Sequence, residues 1–258
     1  MAIYFNSLGN NGHLGNQMFQ YAALRGIASK KQLDWKIPPK SMFGKTYSLR
    51  SNIYDCFELP FVKNGHVGIN VVADTVREAS HSYNDGLIDK ITDECNIEGY
   101  FQSPKYFSDI EHIIRKDFTF KNEIVLSAPP VPNDYCALHV RRTDYVGNSL
   151  YHTNLDKFYY EKALEILEPK NVIVFSDDPA WCRSHKLYSQ FLVSDRDQYV
   201  DLFLMKLAKQ HIIANSSFSW WGAWLANSKN VVAPSQWFGP ALGSLDTKDY
   251  YLEGWNIV

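Results

Sequence analysis

The sequence predicts an α/β protein with parallel sheets, and three of its features favour that fold class. In the second half, short apolar segments alternate with longer segments of helical periodicity, the order of a doubly wound sheet. The first half opens with a strand, a Gly-rich loop and a helix, as Rossmann-like units do. Between the halves lies the Pro-rich segment 127–133, which cannot join a sheet ladder. We therefore predict two domains, residues 1–130 and 131–258, with the last helix able to pack back on the first domain.

The composition is that of a globular protein without a strongly charged surface. Apolar residues make up 45% of the 258 residues and charged residues 21%. The net charge of −2 disfavours nucleic acid as a partner. The N-terminus has no signal-peptide pattern, and no apolar run reaches the roughly 20 residues that cross a bilayer. We expect a soluble cytoplasmic protein, one that could associate peripherally with the inner face of a membrane.

The cysteines indicate a reduced protein. Cys56, Cys95, Cys136 and Cys182 are widely spaced and form no CxxC pair. Buried thiols are therefore expected, rather than a zinc site or a redox site.

The first half begins with a possible anion-binding loop. Strands are predicted at 2–5 and 33–37, a strand end at 97–103, and helices at 16–30 and 104–116. For residues 40–95 the sequence does not predict a definite element. Backbone N–H groups in the Gly-rich loop at 7–15 could face an anion at the start of the first helix. The glycine spacing is not GxGxxG, so a nicotinamide cofactor is disfavoured. A flexible turn is the alternative.

Three strands of the second half end in polar clusters. The predicted strands are 135–140, 172–175, 211–214 and 231–233, and the helices are 155–168, 198–210 and 220–226. The clusters are His139-Val-Arg-Arg-Thr-Asp144, Ser176-Asp-Asp178 and Asn215-Ser-Ser-Phe-Ser219. The carboxyl ends of parallel strands lie at one edge, where α/β proteins bind ligands, so the clusters should converge. Paired arginines suit phosphate. Each cluster alone could be a surface ion pair or a helix cap, but together they predict a nucleotide site.

Four segments of the sequence resemble the family 11 glycosyltransferases, the α-1,2-fucosyltransferases, in their bacterial form. In chain order they are Gly12-His-Leu-Gly-Asn-Gln-Met-Phe-Gln-Tyr-Ala22, Gly99-Tyr-Phe-Gln-Ser-Pro-Lys-Tyr-Phe107, His139-Val-Arg-Arg-Thr-Asp-Tyr145 and Asn215-Ser-Ser-Phe-Ser-Trp-Trp-Gly-Ala-Trp-Leu225. The resemblance implies a GT-B fold, with two Rossmann-like domains facing across a cleft. It also implies inverting transfer of L-fucose from GDP-β-L-fucose to O2 of a terminal β-galactoside, in oligosaccharide or O-antigen synthesis. No metal and no other cofactor is implied.

The resemblance also implies roles for individual residues. Arg141, Asp144 and His13 are the candidate catalytic residues, and Arg141 would neutralise charge on the departing β-phosphate. Asp144 and His13 are both candidates for a general base, and the alternative is that the leaving phosphate itself accepts the proton. The implied donor-binding residues are Gly15, Asn16, Gln17, His139, Arg142, Asp177, Asp178, Asn215, Ser216, Ser217 and Ser219. Among them, Asn16 is expected to contact the donor directly, and Asp177 and Asp178 to lie near its ribose or guanine.

Two features of the second half suggest other functions and are interpreted as structural. Asp195-Arg-Asp197 has the DxD pattern of metal-holding glycosyltransferases, but its position before a predicted helix indicates a surface cluster with Asp197 near the N-cap. Trp220, Trp221 and Trp224 have helical spacing and are expected in the core rather than against a sugar.

Alternatives to the α-1,2-fucosyltransferase hypothesis remain open. One is a fucosyltransferase of another linkage or acceptor, or an enzyme that uses a related GDP-sugar. The other is a non-catalytic protein that binds sugar nucleotides or glycans.

Overall fold

The protein divides into two compact units in the computed structural model, which describes residues 1–43, 52–62 and 65–258. The first unit comprises Met1–Lys121 with Asp246–Tyr250, and the second comprises Asn122–Leu245 with Tyr251–Val258. Nine residues separate this division from the boundary predicted at residue 130. The reason is that residues 122–127 form a helix that contacts a helix of the second unit, so the Pro-rich segment lies inside that unit.

The first unit contains a four-stranded parallel sheet in the order β2-β1-β4-β3. Its strands are β1 (Ala2–Tyr4), β2 (Asp34–Lys36), β3 (Thr75–Arg77) and β4 (Asn96–Glu98). Its helices are α1 (Leu14–Lys31), α2 (Ile53–Cys56), α3 (Asp85–Lys90) and α4 (Glu111–Asp117), with 3₁₀ turns at Lys40–Met42, Pro104–Tyr106, Ser108–Ile110 and Lys248–Tyr250. The predicted 104–116 helix is thus two 3₁₀ turns followed by α4. The predicted region without definite elements, 40–95, contains β3, α2 and α3; part of it lies outside the described residues.

A buried ion pair holds α1 to the end of α4. Arg25 and Asp117 lie 2.7 Å apart, and the Tyr21 hydroxyl donates to the same Asp117 oxygen at 2.9 Å. The Arg25 guanidinium also lies 4.5 Å from the centroid of the Trp35 ring on β2. Because both charges are buried, each depends on the other for its stability.

Replacing Asp117 with alanine is expected to destabilise the protein by about 3 kcal/mol, since the variant leaves a buried guanidinium without its carboxylate. Urea unfolding would measure the change. Glu111→Ala is the matched control, because Glu111 is half-exposed and lies 3.9 Å from its partner Arg115; its loss should stay below about 0.5 kcal/mol. Equal losses in the two variants would contradict the prediction.

The second unit contains a six-stranded parallel sheet in the order β10-β9-β8-β5-β6-β7. Its strands are β5 (Cys136–Val140), β6 (Val172–Ser176), β7 (Leu192–Val193), β8 (Gln210–Ile212), β9 (Asn230–Ala233) and β10 (Asn256–Ile257). Its helices are α5 (Asn122–Ser127), α6 (Thr143–Val146), α7 (Lys157–Leu167), α8 (Pro179–Ser184), α9 (Gln198–Leu207) and α10 (Ser217–Leu225), with a 3₁₀ turn at Pro240–Leu242. The predicted parallel sheet is confirmed.

The core of the second unit contains the residues expected there. Every residue of β5 is buried. Trp220, Trp221 and Trp224 are buried on α10 and pack against one another, which confirms that they belong to the core. All four cysteines of the chain are buried, and the structure places none of them in a disulfide bond, as predicted. Within the described part of the chain, the helices are all too short or too polar to span a membrane.

Candidate active site

The three polar clusters of the second unit follow neighbouring strands. In the sheet β5 lies between β8 and β6, with Leu138 opposite Ile212 and Val140 opposite Ser176. The segments that continue these strands therefore leave the sheet at the same edge. The predicted convergence of the clusters is confirmed.

Arg141 is held between two carboxylates at this edge. Its Nη2 lies 2.6 Å from Asp144 Oδ1, and its Nη1 lies 3.1 Å from Asp177 Oδ2. The guanidinium carbon is 5.3 Å from the centroid of the Tyr145 ring. Burial alone would lower the pKa of Arg141, but the two carboxylates outweigh it and the pKa is raised. The result is a fixed, permanently charged fork of N–H donors.

Asp177 holds the arginine segment onto β6. Its carboxylate accepts the backbone N–H groups of Arg142 at 2.8 Å and Thr143 at 3.1 Å, and also the Thr143 hydroxyl. Burial by itself raises the pKa of Asp177, but Arg141 and these donors together bring the pKa below its ordinary value. Asp177 was predicted to lie near the ribose or guanine. The structure shows its bracing contacts, and its place near a nucleotide stays a prediction.

Arg142 and Asp178 form a second pair beside the first. Arg142 Nε lies 3.3 Å from Asp178 Oδ2, and its guanidinium carbon lies 3.5 Å from the centroid of the Trp181 ring. Asp178 also caps α8 by accepting the Trp181 N–H at 3.1 Å. Helix α8 was not among the predicted elements, although its cap was one interpretation of this cluster and an Asp followed by Pro179 is a common helix start.

His139 is a buried, neutral imidazole at the end of β5. Burial lowers the pKa of His139, Asp177 opposes that shift and Arg141 adds to it, so that the resulting pKa is about 4. Its ring lies 5.7 Å from that of Phe218, and its Nδ1 is buried without a hydrogen-bond partner. At neutral pH the imidazole therefore offers one N–H donor and one acceptor nitrogen rather than a positive charge.

Asn215 ties the turn after β8 to the surrounding loops. Its side-chain Nδ2 donates to the backbone carbonyls of Thr153 at 3.0 Å and Trp237 at 2.7 Å. The backbone carbonyl of Asn215 accepts a hydrogen bond from the Tyr145 hydroxyl at 3.0 Å. Tyr145 thereby links the segment after β5 to the turn after β8. These contacts make Asn215 a structural residue of the turn, whatever it contacts in a ligand.

The serines after Asn215 lie at the start of α10. Ser219 is buried, and its hydroxyl donates to the carbonyl of Ser216 at 3.3 Å within the helix. Ser216 is the N-cap residue, but its side chain makes no capping hydrogen bond, and Ser217 begins the helix. The start of α10 thus places backbone N–H groups and the side chains of Ser216 and Ser217 at the positive end of the helix dipole.

The other predicted residues lie in the first unit, on the loop before α1 and the first turn of that helix. His13 is exposed and is the N-cap residue, whereas Gly15 and Gln17 are buried. Gln17 accepts the Ile53 N–H at 3.2 Å and donates to the Gly12 carbonyl at 3.5 Å. Gln17 therefore links the loop before α1 to the start of α2.

Asn16 is half-buried on the first turn of α1. Its Oδ1 accepts Gln102 Nε2 at 2.6 Å. Gly12 has a φ of +82°, and a Cβ there would lie 2.2 Å from Asn16 Nδ2, so only glycine fits at this position. The predicted site residues thus form two groups, one in each unit.

The DxD segment has the structural role predicted for Asp197. Asp197 caps α9 by accepting the N–H groups of Tyr199 at 2.8 Å and Val200 at 3.2 Å. Asp195 is exposed and lies 3.8 Å from Arg183 and 3.7 Å from Arg196. Among the described residues, no three or more His, Cys, Asp or Glu side chains are grouped in a way that could hold a metal ion.

Comparison with known proteins assigns the family. The family model described as "Glycosyl transferase family 11" matches residues 3–258. The chain belongs to glycosyltransferase family 11. A relative, "Alpha-1,2-colitosyltransferase" from Escherichia coli, is 30% identical over 265 residues, which cover 88% of this chain and 90% of the relative. "Galactoside 2-alpha-L-fucosyltransferase" from Caenorhabditis elegans is 31% identical over 153 residues, which cover 56% of this chain and 40% of that protein.

Solved structures show the fold of this family 11 glycosyltransferase. The structure of "NodZ alpha-1,6-fucosyltransferase soaked with GDP-fucose" superposes with a TM-score of 0.55 at 12% identity, covering 91% of this chain and 94% of that one. The predicted GT-B fold is confirmed by this likeness and by the two parallel sheets.

Proposed function

We propose that this family 11 enzyme is an inverting glycosyltransferase that moves L-fucose from GDP-β-L-fucose to O2 of a terminal β-galactoside, giving an α-1,2 linkage. The observation that carries the proposal is Arg141, a guanidinium fixed between two carboxylates at the carboxyl edge of the parallel sheet. The names of the two relatives support the linkage, because one denotes an α-1,2-transferase and the other a galactoside 2-α-L-fucosyltransferase.

Arg141 is the proposed diphosphate clamp. In the free protein its donors are shared between Asp144 and Asp177. Asp177 is fixed by further hydrogen bonds, whereas 50% of the Asp144 side chain is exposed. A β-phosphate oxygen could therefore replace Asp144 on Nη2 while Asp177 keeps Nη1. The fork would then stabilise the charge that develops on GDP as it leaves.

The bond changes of the proposed reaction balance without another reactant. The galactose O2 attacks C1 of fucose, the bond from C1 to the β-phosphate oxygen breaks, and the configuration at C1 inverts from β to α. The O2 proton passes to a base or to the leaving phosphate. Asp144, once displaced from Arg141, and the exposed His13 are the candidate bases.

No metal and no other cofactor takes part in the proposed reaction. The positive charge that a DxD-bound cation supplies in other glycosyltransferases comes here from Arg141. The capping role of Asp197 supports this proposal, because the helix N-terminus already uses that carboxylate.

A second donor is favoured by one specific observation. The 30% identical relative is named for colitose, which is 3-deoxy-L-fucose. The two donors differ only at the O3 position of the sugar. A site that hydrogen-bonds O3 would use the 3-deoxy donor about 100-fold less efficiently or worse, because its polar groups would be left unpaired. Measuring kcat/KM for GDP-fucose and for GDP-colitose decides between the two donors. Equal values, or a higher value for GDP-colitose, would overturn fucose as the preferred donor sugar.

We expect GDP release from GDP-fucose in excess EDTA, and we expect that release to depend on a β-galactoside such as lactose. The reason is that Arg141 acts without a metal ion. Release would be followed by a coupled assay, and the product linkage would be assigned by NMR.

Three results would contradict parts of this expectation. Release only after manganese is added would overturn metal independence. A product fucosylated elsewhere than O2 would overturn the linkage. Tight GDP-fucose binding without turnover on a panel of β-galactosides would favour the non-catalytic alternative.

A further inference from the structure

A turn at residues 99–102 of the first unit supports the loop that carries Asn16. Gln102 Nε2 donates to Asn16 Oδ1 at 2.6 Å. Gln20, on α1, donates to the carbonyl of Asn11 at 3.2 Å and to that of Gly99 at 3.1 Å. The loop before α1 and the 99–102 turn are therefore joined by two glutamine side chains.

Glu78 holds the 99–102 turn from its other side. Its Oε2 accepts the backbone N–H groups of Tyr100 at 2.8 Å and Phe101 at 2.9 Å. A Cβ at Gly99 would lie 2.5 Å from Glu78 Cβ, so only glycine allows this approach. Burial raises the pKa of Glu78 to about 7, although the two N–H groups oppose the shift. The other oxygen, Oε1, is buried without a hydrogen-bond partner, which is costly for a carboxylate.

The backbone of the 99–102 turn is strained. Phe101 has a φ of +52°, in the left-handed region that a bulky side chain rarely adopts. Its buried ring packs edge-on against Phe5 at 5.8 Å and Tyr106 at 5.2 Å, measured between ring centroids. Strain of this kind persists only where the surroundings enforce it, and it concentrates at functional sites.

The bond from Gln102 determines which way the Asn16 amide faces. An amide has an acceptor oxygen and a donor nitrogen, and Gln102 uses the oxygen. The donor nitrogen is thereby directed to the Gly12 side, where the glycine leaves room for it. An amide NH₂ can donate to a phosphate oxygen or to a sugar hydroxyl, whereas an amide oxygen would repel phosphate.

We propose that Gln102 is a positioning residue that orients the Asn16 amide toward the sugar-nucleotide donor, and that Glu78 holds the 99–102 turn so that it presents Gln102. This inference rests on the proposed function, because it takes Asn16 as the expected donor contact. It adds two residues, neither of them in contact with the donor, to the machinery that sets donor affinity and turnover.

A double-mutant cycle tests the proposal. Asn16→Ala and Gln102→Leu should each lower kcat/KM for GDP-fucose by about 10- to 100-fold, since small misplacements of a positioning group have effects of this size. The double variant should lose no more than Asn16→Ala alone, because Gln102 acts only through Asn16. Losses that multiply in the double variant, or normal kinetics for Gln102→Leu, would overturn the proposal.

The Glu78 variants separate positioning from a general loss of folding. Glu78→Gln keeps an oxygen that can accept both backbone N–H groups, and it should retain at least about a third of wild-type kcat/KM. Glu78→Ala removes the acceptor and should match Gln102→Leu. Equal losses in Glu78→Gln and Glu78→Ala, with unchanged melting temperatures, would overturn the role given to the Glu78 oxygen.

Hydrogen exchange gives a readout that does not depend on the donor. In Gln102→Leu, backbone amides of residues 12–17 should exchange at least about 10-fold faster than in the wild type, because the hydrogen bond from Gln102 to Asn16 is lost. Gln190→Leu is the matched control, since Gln190 lies in the second unit and donates to the Leu187 carbonyl at 2.9 Å. If the wild type transfers no fucose, the proposed function fails while this comparison still decides the positioning role. Unchanged exchange in Gln102→Leu would overturn it.

Discussion

Replacing Arg141 with lysine is expected to lower kcat for GDP release at least about 100-fold, the scale of losing a donor to a transition-state anion. Lysine keeps the positive charge but presents a single ammonium in place of a planar fork. The single lysine ammonium cannot bind Asp177 as Nη1 does and at the same time bind a β-phosphate oxygen in the place where Nη2 now binds Asp144. Stopped-flow or coupled detection of GDP, at saturating donor and acceptor, would measure the change.

Arg183→Lys is the matched control for the Arg141 substitution. Arg183 lies in the same unit, is 47% exposed, and is 3.8 Å from its ion-pair partner. Its substitution should leave kcat within about twofold, as expected for a surface pair. Melting temperatures of both variants would show whether the fold is intact. Normal turnover of a folded Arg141→Lys variant would remove Arg141 from the role of diphosphate clamp.

The sequence was sufficient to predict the four central strands of the second unit's sheet and the polar edge of that sheet. Strands β5, β6 and β8 are apolar segments that end abruptly in charged or hydroxyl residues, and helices with clear periodicity separate them. Both signals are local. The strands β3, β7 and β10 have only two or three residues each and carry no such signal. They exist because a neighbouring strand offers hydrogen bonds, which no sequence window reveals.

Roles within the site were harder to predict than its location. The sequence places Asp177 at the end of β6, but whether it meets a ligand or Arg141 depends on the register between β5 and β6. Gln102 and Asn16 are 86 positions apart in the sequence, so their hydrogen bond has no local signature. The boundary at residue 130 was drawn from prolines, whereas the packing of α5 determines where the units part.

Replacing Asp177 with alanine is expected to destabilise the protein by about 2–3 kcal/mol at pH 7 and to lower turnover as much as Arg141→Lys does. The substitution leaves the N–H groups of Arg142 and Thr143 and the guanidinium of Arg141 without their acceptor. The segment that carries Arg141 would then no longer be held to β6. Urea unfolding would measure the stability, and the GDP-release assay the turnover.

The stabilising effect of Asp177 should also depend on pH with a definite sign. Its folded-state pKa is below its ordinary value, so its contribution is present above the unfolded-state pKa of about 4. The contribution is lost as the pH falls through the folded-state pKa, because the carboxyl group protonates. The stability difference between the wild type and Asp177→Ala should therefore be full at pH 7 and shrink steadily below about pH 4.

Asp195→Ala provides the comparison for both measurements. Asp195 is 70% exposed, its ion pairs exceed 3.6 Å, and it braces no backbone N–H in the segment that carries Arg141. Its removal should change stability by less than about 0.5 kcal/mol at either pH.

If Asp177→Ala behaved in the same way, the carboxylate would not be what holds Arg141 in place. If the loss were large but equal at pH 7 and pH 3, the cause would be side-chain packing rather than charge. Only a loss of stability that becomes smaller as the pH falls would show that the ionised carboxylate of Asp177 holds Arg141 in its position.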